Sequence, residues 1–377
     1  MEKQYGPQIR NTTLIMIKKL DRYIINKFLS TFFFTLLILL MVGGIIDFSE
    51  KVGKFIDGEM TNREIIFDYF LNFMLFIAGL LWPLFTLIAV IFFTSRMASN
   101  SEIISILNAG VSFTRLLRPY LIAASILTVI YLFCSHWLIP NGNKRMLNFI
   151  YTYIDTNEEK GRYRNVHLFI APDAKVFIRN YRKRDSTGLN VRLEQFANNE
   201  MIALLKSDRM EWIPEEQQWR LRNYELRHFN GPDESIFIGK GEVIDTSINL
   251  SPSDFIDYSD QQNMMTTPEL LTYIKKLRAR GASNIRKYEL ELNRRSAEPV
   301  TIFILTLIGV AIAARKVRGG IGLHLAIGIG IGALFIFLSR FATVFASGET
   351  IPVLVGVWFP NMVFALIAAY LVSRAQK

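Results

Sequence analysis

The sequence contains little of the chemistry on which most enzymes and metal sites depend. Its only cysteine, Cys134, excludes a disulfide within the chain. The four histidines, His136, His167, His228 and His324, lack the spacing of metal ligands. Neither a G-x-S-x-G string nor a G-x-x-x-x-G-K-[ST] string is present, so we expect neither a hydrolase serine nor an ATP-binding loop. We therefore predict a protein that is not an enzyme and holds no cofactor or metal.

The charge of the chain does not indicate a nucleic-acid-binding protein. The formal net charge is +10, but much of the basic surplus flanks apolar segments, as it does on the cytoplasmic side of membrane proteins. Hydrophobic residues make up 51% of the 377 residues, which is high for an ordinary soluble protein. We therefore expect membrane rather than nucleic-acid partners.

Six apolar runs are the most informative feature of the chain. Each has roughly 20 residues and almost no charge, which is enough for a helix to cross a bilayer. The runs are Ile24–Ile46, Tyr69–Thr94, Pro119–Leu138, Ala297–Ala314, Ile321–Ser339 and Pro352–Val372. The sequence therefore predicts an α-helical membrane protein with six transmembrane helices, the first of which remains as an anchor because no cleavage site follows it.

The short loops predict the orientation of these helices. Basic residues precede the first, third and fifth runs, whereas loop 47–68 carries mostly acidic residues. The basic residues are Lys18, Lys19 and Arg22, then Arg96, Arg115 and Arg118, then Arg315, Lys316 and Arg318. Positive residues stay inside, so we expect a multi-pass membrane protein with both termini in the cytoplasm and the central region on the opposite side, which is the periplasm if the cell has two membranes.

The central region, residues 141–262, has the pattern of an all-β domain. Short segments alternate apolar and polar residues, which is typical of half-buried strands. They are Val166–Ile170, Lys175–Arg179, Met210–Ile213, Trp219–Phe229, Ser235–Ile238 and Glu242–Ile244. We predict a sandwich or a jelly-roll-like domain inserted between helices 3 and 4, with turns at 171–173, 214–218 and 239–241.

The remaining boundaries follow from these two patterns. Residues 1–140 hold the first three helices, and residues 297–377 hold the last three. Between the β domain and helix 4, residues 263–296 predict a helical connector, in which Thr267 caps a helix and Pro268 occupies its first position.

The loop between helices 2 and 3 carries the sharpest motif. Ser99 and Glu102 have the spacing of a capping box, and Gly110 is a natural helix stop. Ile103, Ile104 and Leu107 would share one face of a short amphipathic helix. Such a helix could lie on the bilayer surface or dock into a cytoplasmic partner, and the spacing favours neither.

Basic residues at the opposite membrane surface are candidate contacts for phosphate groups. Arg340 lies at the outer end of the fifth run, and Lys144 and Arg145 lie where the chain leaves the membrane. Cations at this level can bind anionic headgroups.

Several strings together resemble the LptF/LptG permease family of the lipopolysaccharide exporter. The resemblance covers nearly the whole chain from Leu20, and it is closer to the LptG type. The strings are 20–24 (LDRYI), 44–46 (GII), 101–112 (SEIISILNAGVS), 265–270 (MTTPEL), 298–299 (EP) and 358–361 (WFPN). Each is weak alone, but their order within this topology is specific.

The resemblance implies an export subunit that works with partners. Two such permeases would face each other above a cytoplasmic ABC ATPase dimer, which would use the ATP. Glu102, Ile103, Ile104, Leu107 and Gly110 would form the coupling helix that contacts the ATPase. Lipopolysaccharide would pass between helix 1 of one permease and helix 5 of the other, and then to the β domain and a periplasmic bridge β-jellyroll protein.

The resemblance also implies where the lipid binds. The Phe-rich first run, including Phe32 and Phe33, would form one wall of the acyl-chain cavity. LptG-type members commonly carry a lysine where this chain has Asp47, so Lys51, Lys54 and Arg340 are the candidate substitutes for headgroup contact.

Three other functions are alternatives to an ATP-driven exporter. An ion-gradient-driven transporter needs an acid buried within a span, and we expect none apart from Asp47 at a boundary. A lipid-modifying enzyme needs histidines and carboxylates at one depth, which the sequence does not indicate. A membrane scaffold needs no particular residue.

Overall fold

The computed structural model describes residues 18–58, 60–154, 164–198, 200–255, 260–282, 284–315, 317, 319–348 and 351–375. Within these ranges six helices are long and apolar enough to cross a membrane. They are α1 (Lys19–Asp57), α2 (Asn62–Ser99), α4 (Phe113–Ile154), α6 (Ile285–Ala313), α7 (Gly320–Ser347) and α8 (Val353–Ala375). Two shorter helices, α3 (Glu102–Asn108) and α5 (Thr267–Ala279), lie between them.

Several helices continue beyond the apolar runs that predict them. Helix α1 extends past Ile46 to Asp57, and α4 extends past Pro140 to Ile154. Pro140 is accommodated because it directly follows a π-helical turn at Cys134–Leu138, where the backbone hydrogen bonding is already rearranged. The helical part therefore reaches beyond residue 140, and the first described strand begins only at Arg164.

Two apolar clusters hold the helices together. One joins α1, α2 and α4 and includes Phe28, Phe93 and Tyr120. The other joins α2, α6, α7 and α8 around Leu305 and Phe364.

Two glycines of α7 allow that helix to approach α2 closely. A Cβ on Gly328 or Gly332 would come within 2.5 Å of the Ile91 or Leu84 side chain, so only glycine fits without a shift. A Cβ added to Gly322 or Gly330 would have no neighbouring atom within 4 Å, so close packing does not require glycine at these two positions.

The central region forms one six-stranded antiparallel sheet. The strands are β1 (Arg164–Ala171), β2 (Ala174–Arg182), β3 (Thr187–Ala197), β4 (Glu200–Ile213), β5 (Gln218–Asn230) and β6 (Asp233–Thr246). Each strand pairs with the next in sequence, so the order is that of a meander. The predicted fold class, six membrane helices with an inserted β domain, is confirmed.

Two strand predictions were incomplete or wrong. Strand β3 was not predicted, although Leu189, Val191 and Leu193 alternate with polar residues as in the other strands. Gly239–Gly241 is not a turn between two strands but a bulge within β6. Gly241 has a φ of +79°, and its N–H donates to Asn223 Oδ1 over 3.0 Å, which is the conformation that glycine adopts at a bulge.

The segment after β6 closes one face of the sheet and leads into α5. Phe255 stacks on Tyr181 with ring centroids 3.8 Å apart, and Trp219 Nε1 donates to the Leu250 carbonyl over 2.8 Å. Helix α5 begins at Thr267, so its N-cap is Thr266 and not Thr267 as predicted. The Thr266 N–H donates to Glu269 Oε2 over 2.8 Å in a capping box.

Candidate functional site

Helix α3 lies at one end of the helix bundle, the end that contains the first residues of α1 and the last residues of α8. Ile103 is completely buried in the cluster formed by α1, α2 and α4, and Leu107 packs against that cluster. Ile104 is 39% exposed, and Ser105 and Asn108 share the exposed side. The prediction that Ile103 and Ile104 share a face was therefore wrong, because consecutive helix residues diverge by about 100°. Ile103 anchors α3, and Ile104 is its exposed apolar group.

The start of α3 is built differently from the predicted capping box. Ser99 ends α2, and Ser101 precedes α3 in a left-handed conformation (φ 64°) without a side-chain cap. Glu102 Oε2 instead accepts a hydrogen bond from the Tyr23 hydroxyl over 2.9 Å. Gly110 follows the helix with a φ of +83°, as expected for a helix stop. The Tyr23–Glu102 bond links α3 directly to α1.

A second link joins α1 to α4 at the same end. Both terminal nitrogens of Arg115 donate to the Asp21 carboxylate, each over 2.7 Å. Such paired, charge-assisted bonds fix geometry more firmly than single ones. At this end α1 is therefore held by one polar contact with α3 and by one with α4.

The sheet end of α1 carries two of the predicted headgroup cations. The Lys51 ammonium donates to the Asp47 carboxylate and to the Tyr69 hydroxyl, and Tyr69 in turn donates to Asp47 Oδ2 over 2.7 Å. The π-helical turn Ile65–Phe70 supplies Tyr69. The Lys51 side chain remains 27% exposed. Lys51 is thus held by Asp47, whereas Lys54, one turn further on, is exposed.

Helix α1 presents a long apolar face to its surroundings. Phe33 is 45% exposed on this face, but Phe32 is completely buried against Trp82, so Phe32 cannot line a surface cavity as predicted. The exposed apolar residues of α1 include Phe33, Phe34, Leu37, Ile38, Met41, Val42, Ile45 and Ile46. Helix α7 has a similar face with Leu334, Phe337, Phe341, Val344 and Phe345. Faces of this size are covered by lipid or by another subunit.

Arg340 lines a cavity of about 510 Å³ between α2, α4, α6, α7 and α8. Lys144 and Arg145 are exposed on α4 and do not line this cavity. Lys51 and Lys54 are also outside it. The predicted headgroup cations therefore lie at the same end of the helices but do not form one cluster within the chain.

A buried ion-pair network at the start of α6 was missed by the sequence prediction. Arg295 is 2% exposed, and its Nε donates to Glu291 Oε1 over 2.9 Å. Its terminal nitrogens donate to Thr267 Oγ1 over 3.0 Å and to the Met265 carbonyl over 2.9 Å. Arg295 thereby joins α6 to α5 and the segment before it.

The same network contains acids within a membrane helix, which corrects the expectation that there are none apart from Asp47. Arg294 pairs with Glu291 over 2.8 Å and with Glu298 over 3.2 Å. Glu298 also accepts a hydrogen bond from the Tyr131 hydroxyl. The signal was present in the sequence as opposite charges three and four residues apart, just before an apolar run.

A further ion pair ties the sheet to α5. Asp254 forms ion pairs with Arg280 and with Lys276, each over 3.0 Å. Burial alone would raise the pKa of the Asp254 carboxyl, but the hydrogen bond from Arg280 and the Ser251 N–H, together with both positive charges, outweigh burial. The pKa of Asp254 is therefore below its ordinary value.

This lowered pKa predicts acid sensitivity of the β domain. Below about pH 3.9, the ordinary pKa of aspartate, the unfolded chain is protonated. The ion pair of Asp254 therefore stabilises the folded chain fully above that pH. This stabilisation is lost as the pH falls through the pKa that Asp254 has in the folded chain. We expect Asp254→Asn to lower the free energy of unfolding at neutral pH by about 3–5 kcal/mol. The stability of this variant should also fall less steeply as the solution is acidified. Trp219 fluorescence during thermal unfolding at several pH values measures both effects.

The matched control is Asp185→Asn, which removes an exposed ion pair with Arg182 in the turn between β2 and β3 of the same sheet. The stability of this variant should fall at low pH as steeply as that of the parent chain. Identical pH profiles for Asp254→Asn and the parent would contradict the assignment.

Six apolar helices with an antiparallel sheet inserted between the third and fourth long ones define a multi-pass membrane protein with a β domain. Residues 22–374 match the family described as lipopolysaccharide export system permease LptF/LptG. The chain belongs to this family, which confirms the predicted resemblance. The family is a permease component of lipopolysaccharide export, not a catalytic subunit, and the chain is accordingly a multi-pass inner-membrane protein.

Curated relatives agree with the family match. The chain is 23% identical over 376 residues to the lipopolysaccharide export system permease protein LptG of Haemophilus influenzae, which covers 96% of this chain and 100% of the relative. It is 20% identical over 363 residues to LptG of Escherichia coli, a match that covers 94% of this chain and 98% of that relative. The similarity thus includes the helices and the sheet together.

Proposed function

We propose that this chain is a permease subunit of an ATP-driven exporter that extracts lipopolysaccharide from the inner membrane and passes it to a periplasmic bridge protein. A separate cytoplasmic ATPase dimer supplies the energy, and a second LptF/LptG-type permease completes the lipid pathway. Both termini lie in the cytoplasm and the sheet lies in the periplasm, as the basic loops favour.

The arrangement of α3 is the observation that carries this proposal. The buried Ile103 anchors the helix, Ile104 faces outward, and Glu102 is bonded to Tyr23 on α1. A partner that moves α3 would therefore also move α1. This is the connection that an ATPase needs if it is to change the shape of a cavity bounded by α1.

The exposed faces of α1 and α7 supply the pathway for the acyl chains. Lipopolysaccharide has several acyl chains, and the two faces are apolar over most of their length. When two permeases face each other, α1 of one and α7 of the other form the walls of the lateral opening. The phosphates of the lipid then meet Lys51, Lys54, Lys144 and Arg145 at the outer surface, whereas Arg340 lies in the cavity between helices of one chain.

The buried acids of α6 do not favour the gradient-driven alternative. Glu291 and Glu298 are both ion-paired with Arg294, and Glu291 is also paired with Arg295. A proton or cation relay needs an acid that changes its charge during the cycle, and these acids are neutralised by fixed arginines.

Glu102→Lys tests the coupling role. The substitution replaces the acceptor for Tyr23 with a cation, and we expect the chain to remain in the membrane while export falls more than tenfold. Surface lipopolysaccharide is measured with the variant as the only copy. Glu102→Gln, which can still accept a hydrogen bond from the Tyr23 hydroxyl, serves as the control and should retain most export. Normal surface lipopolysaccharide with Glu102→Lys would refute the coupling role.

Asp47→Asn tests the role of Lys51. Removal of the carboxylate frees the Lys51 ammonium for the lipid phosphate, so we expect about three- to tenfold more lipopolysaccharide retained on the purified complex, equivalent to about 1 kcal/mol. Asp57→Asn, at the exposed end of the same helix, should change nothing. Equal retention in both variants would remove Lys51 from the binding site.

A further inference from the structure

The cavity between α2, α4, α6, α7 and α8 is amphipathic, and its polar groups have no part in the export function proposed above. Its inner part is lined by apolar residues from the middle of the helices. These are Leu80, Pro83, Leu84, Leu305, Phe335 and Ile336. Its part nearer the sheet is lined by Asn143, Gln262, Asn263, Arg294, Glu298 and Arg340. A cavity between membrane helices with this division resembles a bilayer leaflet, which is polar at one end and apolar below.

Four cations line the cavity, Lys287, Arg294, Arg295 and Arg340, and Arg294 and Arg295 are ion-paired with Glu291. Arg340 is close enough to Glu298 for an electrostatic interaction, but it donates no hydrogen bond to any residue that the structure describes. Glu298 is already engaged by Arg294 and Tyr131. The Arg340 guanidinium can therefore donate hydrogen bonds to a phosphate without breaking the ion pair between Glu298 and Arg294.

The polar part also contains buried acceptors that lack donors. Asn143 is 4% exposed, and its Nδ2 donates to the Asn263 carbonyl over 3.1 Å, which fixes the direction of its amide. Asn143 Oδ1 and Gln262 Oε1 are both buried without a hydrogen-bond partner among the described residues. An unpaired buried acceptor costs roughly 1–3 kcal/mol. The cavity therefore favours a ligand that donates hydrogen bonds as well as one that carries a negative charge.

We propose that this cavity binds a zwitterionic phospholipid of the phosphatidylethanolamine type. Its phosphate contacts Arg340, and its ammonium donates to Asn143 Oδ1 and Gln262 Oε1 beside the Glu298 carboxylate. The upper part of an acyl chain lies against Leu84 and the other apolar lining residues. A cavity of about 510 Å³ holds a headgroup and part of one or two chains, but not the several chains of lipopolysaccharide. The bound lipid is thus a resident of one chain, distinct from the cargo between two permeases.

The proposal is tested by the lipids that remain on the full-length protein. The chain is purified from its native membrane in mild detergent, and bound phosphatidylethanolamine, phosphatidylglycerol and lipopolysaccharide are quantified by mass spectrometry. We expect phosphatidylethanolamine to be retained at least fivefold in excess of phosphatidylglycerol, relative to their ratio in the membrane, because phosphatidylglycerol lacks the ammonium.

Two substitutions with matched controls locate the lipid. Asn143→Leu removes a buried acceptor, and Asn148→Leu makes the same change at an exposed position of α4. Ile336→Trp fills the apolar part of the cavity without altering a charge, and Ile329→Trp adds the same bulk to the exposed side of α7. We expect each cavity variant to lower bound phosphatidylethanolamine at least fivefold and each control to leave it unchanged.

The outcomes separate this proposal from the export function. Retention of both phospholipids in the membrane ratio, or equal retention in cavity and control variants, would overturn the phospholipid site. Release of lipopolysaccharide by the cavity variants would assign the cavity to the cargo instead. Glu102→Lys lies at the other end of the helices, so it should keep the phospholipid even where export fails.

Discussion

Replacement of Ile104 by Glu is expected to abolish lipopolysaccharide export without unfolding the protein. Ile104 is the exposed apolar residue of α3, whereas Ile103 is completely buried. A charge at position 104 remains in water while the chain is alone, but it must be desolvated when the ATPase docks. Burial of an unpaired charge costs several kcal/mol, enough to reduce ATPase binding more than a hundredfold. ATPase that co-purifies with the variant, together with surface lipopolysaccharide, measures the effect.

Two comparisons make this result specific to the exposed face of α3. Ile104→Leu keeps the apolar contact and should retain both the ATPase and export. Ile103→Glu should instead lower the thermal stability of the chain itself, because that side chain is in the core. If Ile104→Glu bound the ATPase as well as Ile104→Leu does, α3 would be a surface helix and the coupling account would fail.

Replacement of Arg295 by Met is expected to destabilise the junction between α5 and α6 severely. The substitution leaves Glu291 with only Arg294 and deprives Thr267 and two backbone carbonyls of their donor. Loss of one partner from a buried pair costs about 3–5 kcal/mol. Thermal unfolding of the purified full-length chain, and proteolysis of the segment between the sheet and α6, measure the effect.

The matched control is Arg278→Met, because the Arg278 side chain is 69% exposed and pairs with Glu289 near the same junction. Exposed pairs contribute little, so this variant should unfold close to the parent. Equal stability of the two variants would show that the buried network does not hold the junction.

The helices could be predicted from sequence because length and apolar content alone decide whether a segment can cross a bilayer. Their ends could not, because a helix outside the lipid continues wherever its residues permit. Ile46 and Pro140 were for this reason not the ends of α1 and α4. In the sheet, apolar and polar alternation predicted most strands, but β3 was missed although its residues 189–194 alternate in the same way.

The candidate site was less predictable, because burial depends on which neighbours pack against each helix. Phe32 and Phe33 are equally apolar in sequence, yet only Phe33 is exposed. Ile103 and Ile104 differ in the same way. Contacts between distant residues, such as Tyr23 with Glu102, have no signal in a single sequence. The charges of α6 and their spacing were visible, but the hydrogen bond of Glu298 with Tyr131 on α4 was not.

Site-specific photo-crosslinking in the assembled exporter tests the central claim most directly. A photoreactive residue at Phe33 or Ile45 faces the proposed opening on α1, and one at Leu366 reports an exposed apolar position on α8, which is 73% exposed. The account predicts that lipopolysaccharide is captured at the α1 positions, that capture falls when ATP is supplied, and that Leu366 captures little. Equal, ATP-independent capture at α1 and Leu366 would contradict a lipid pathway along α1.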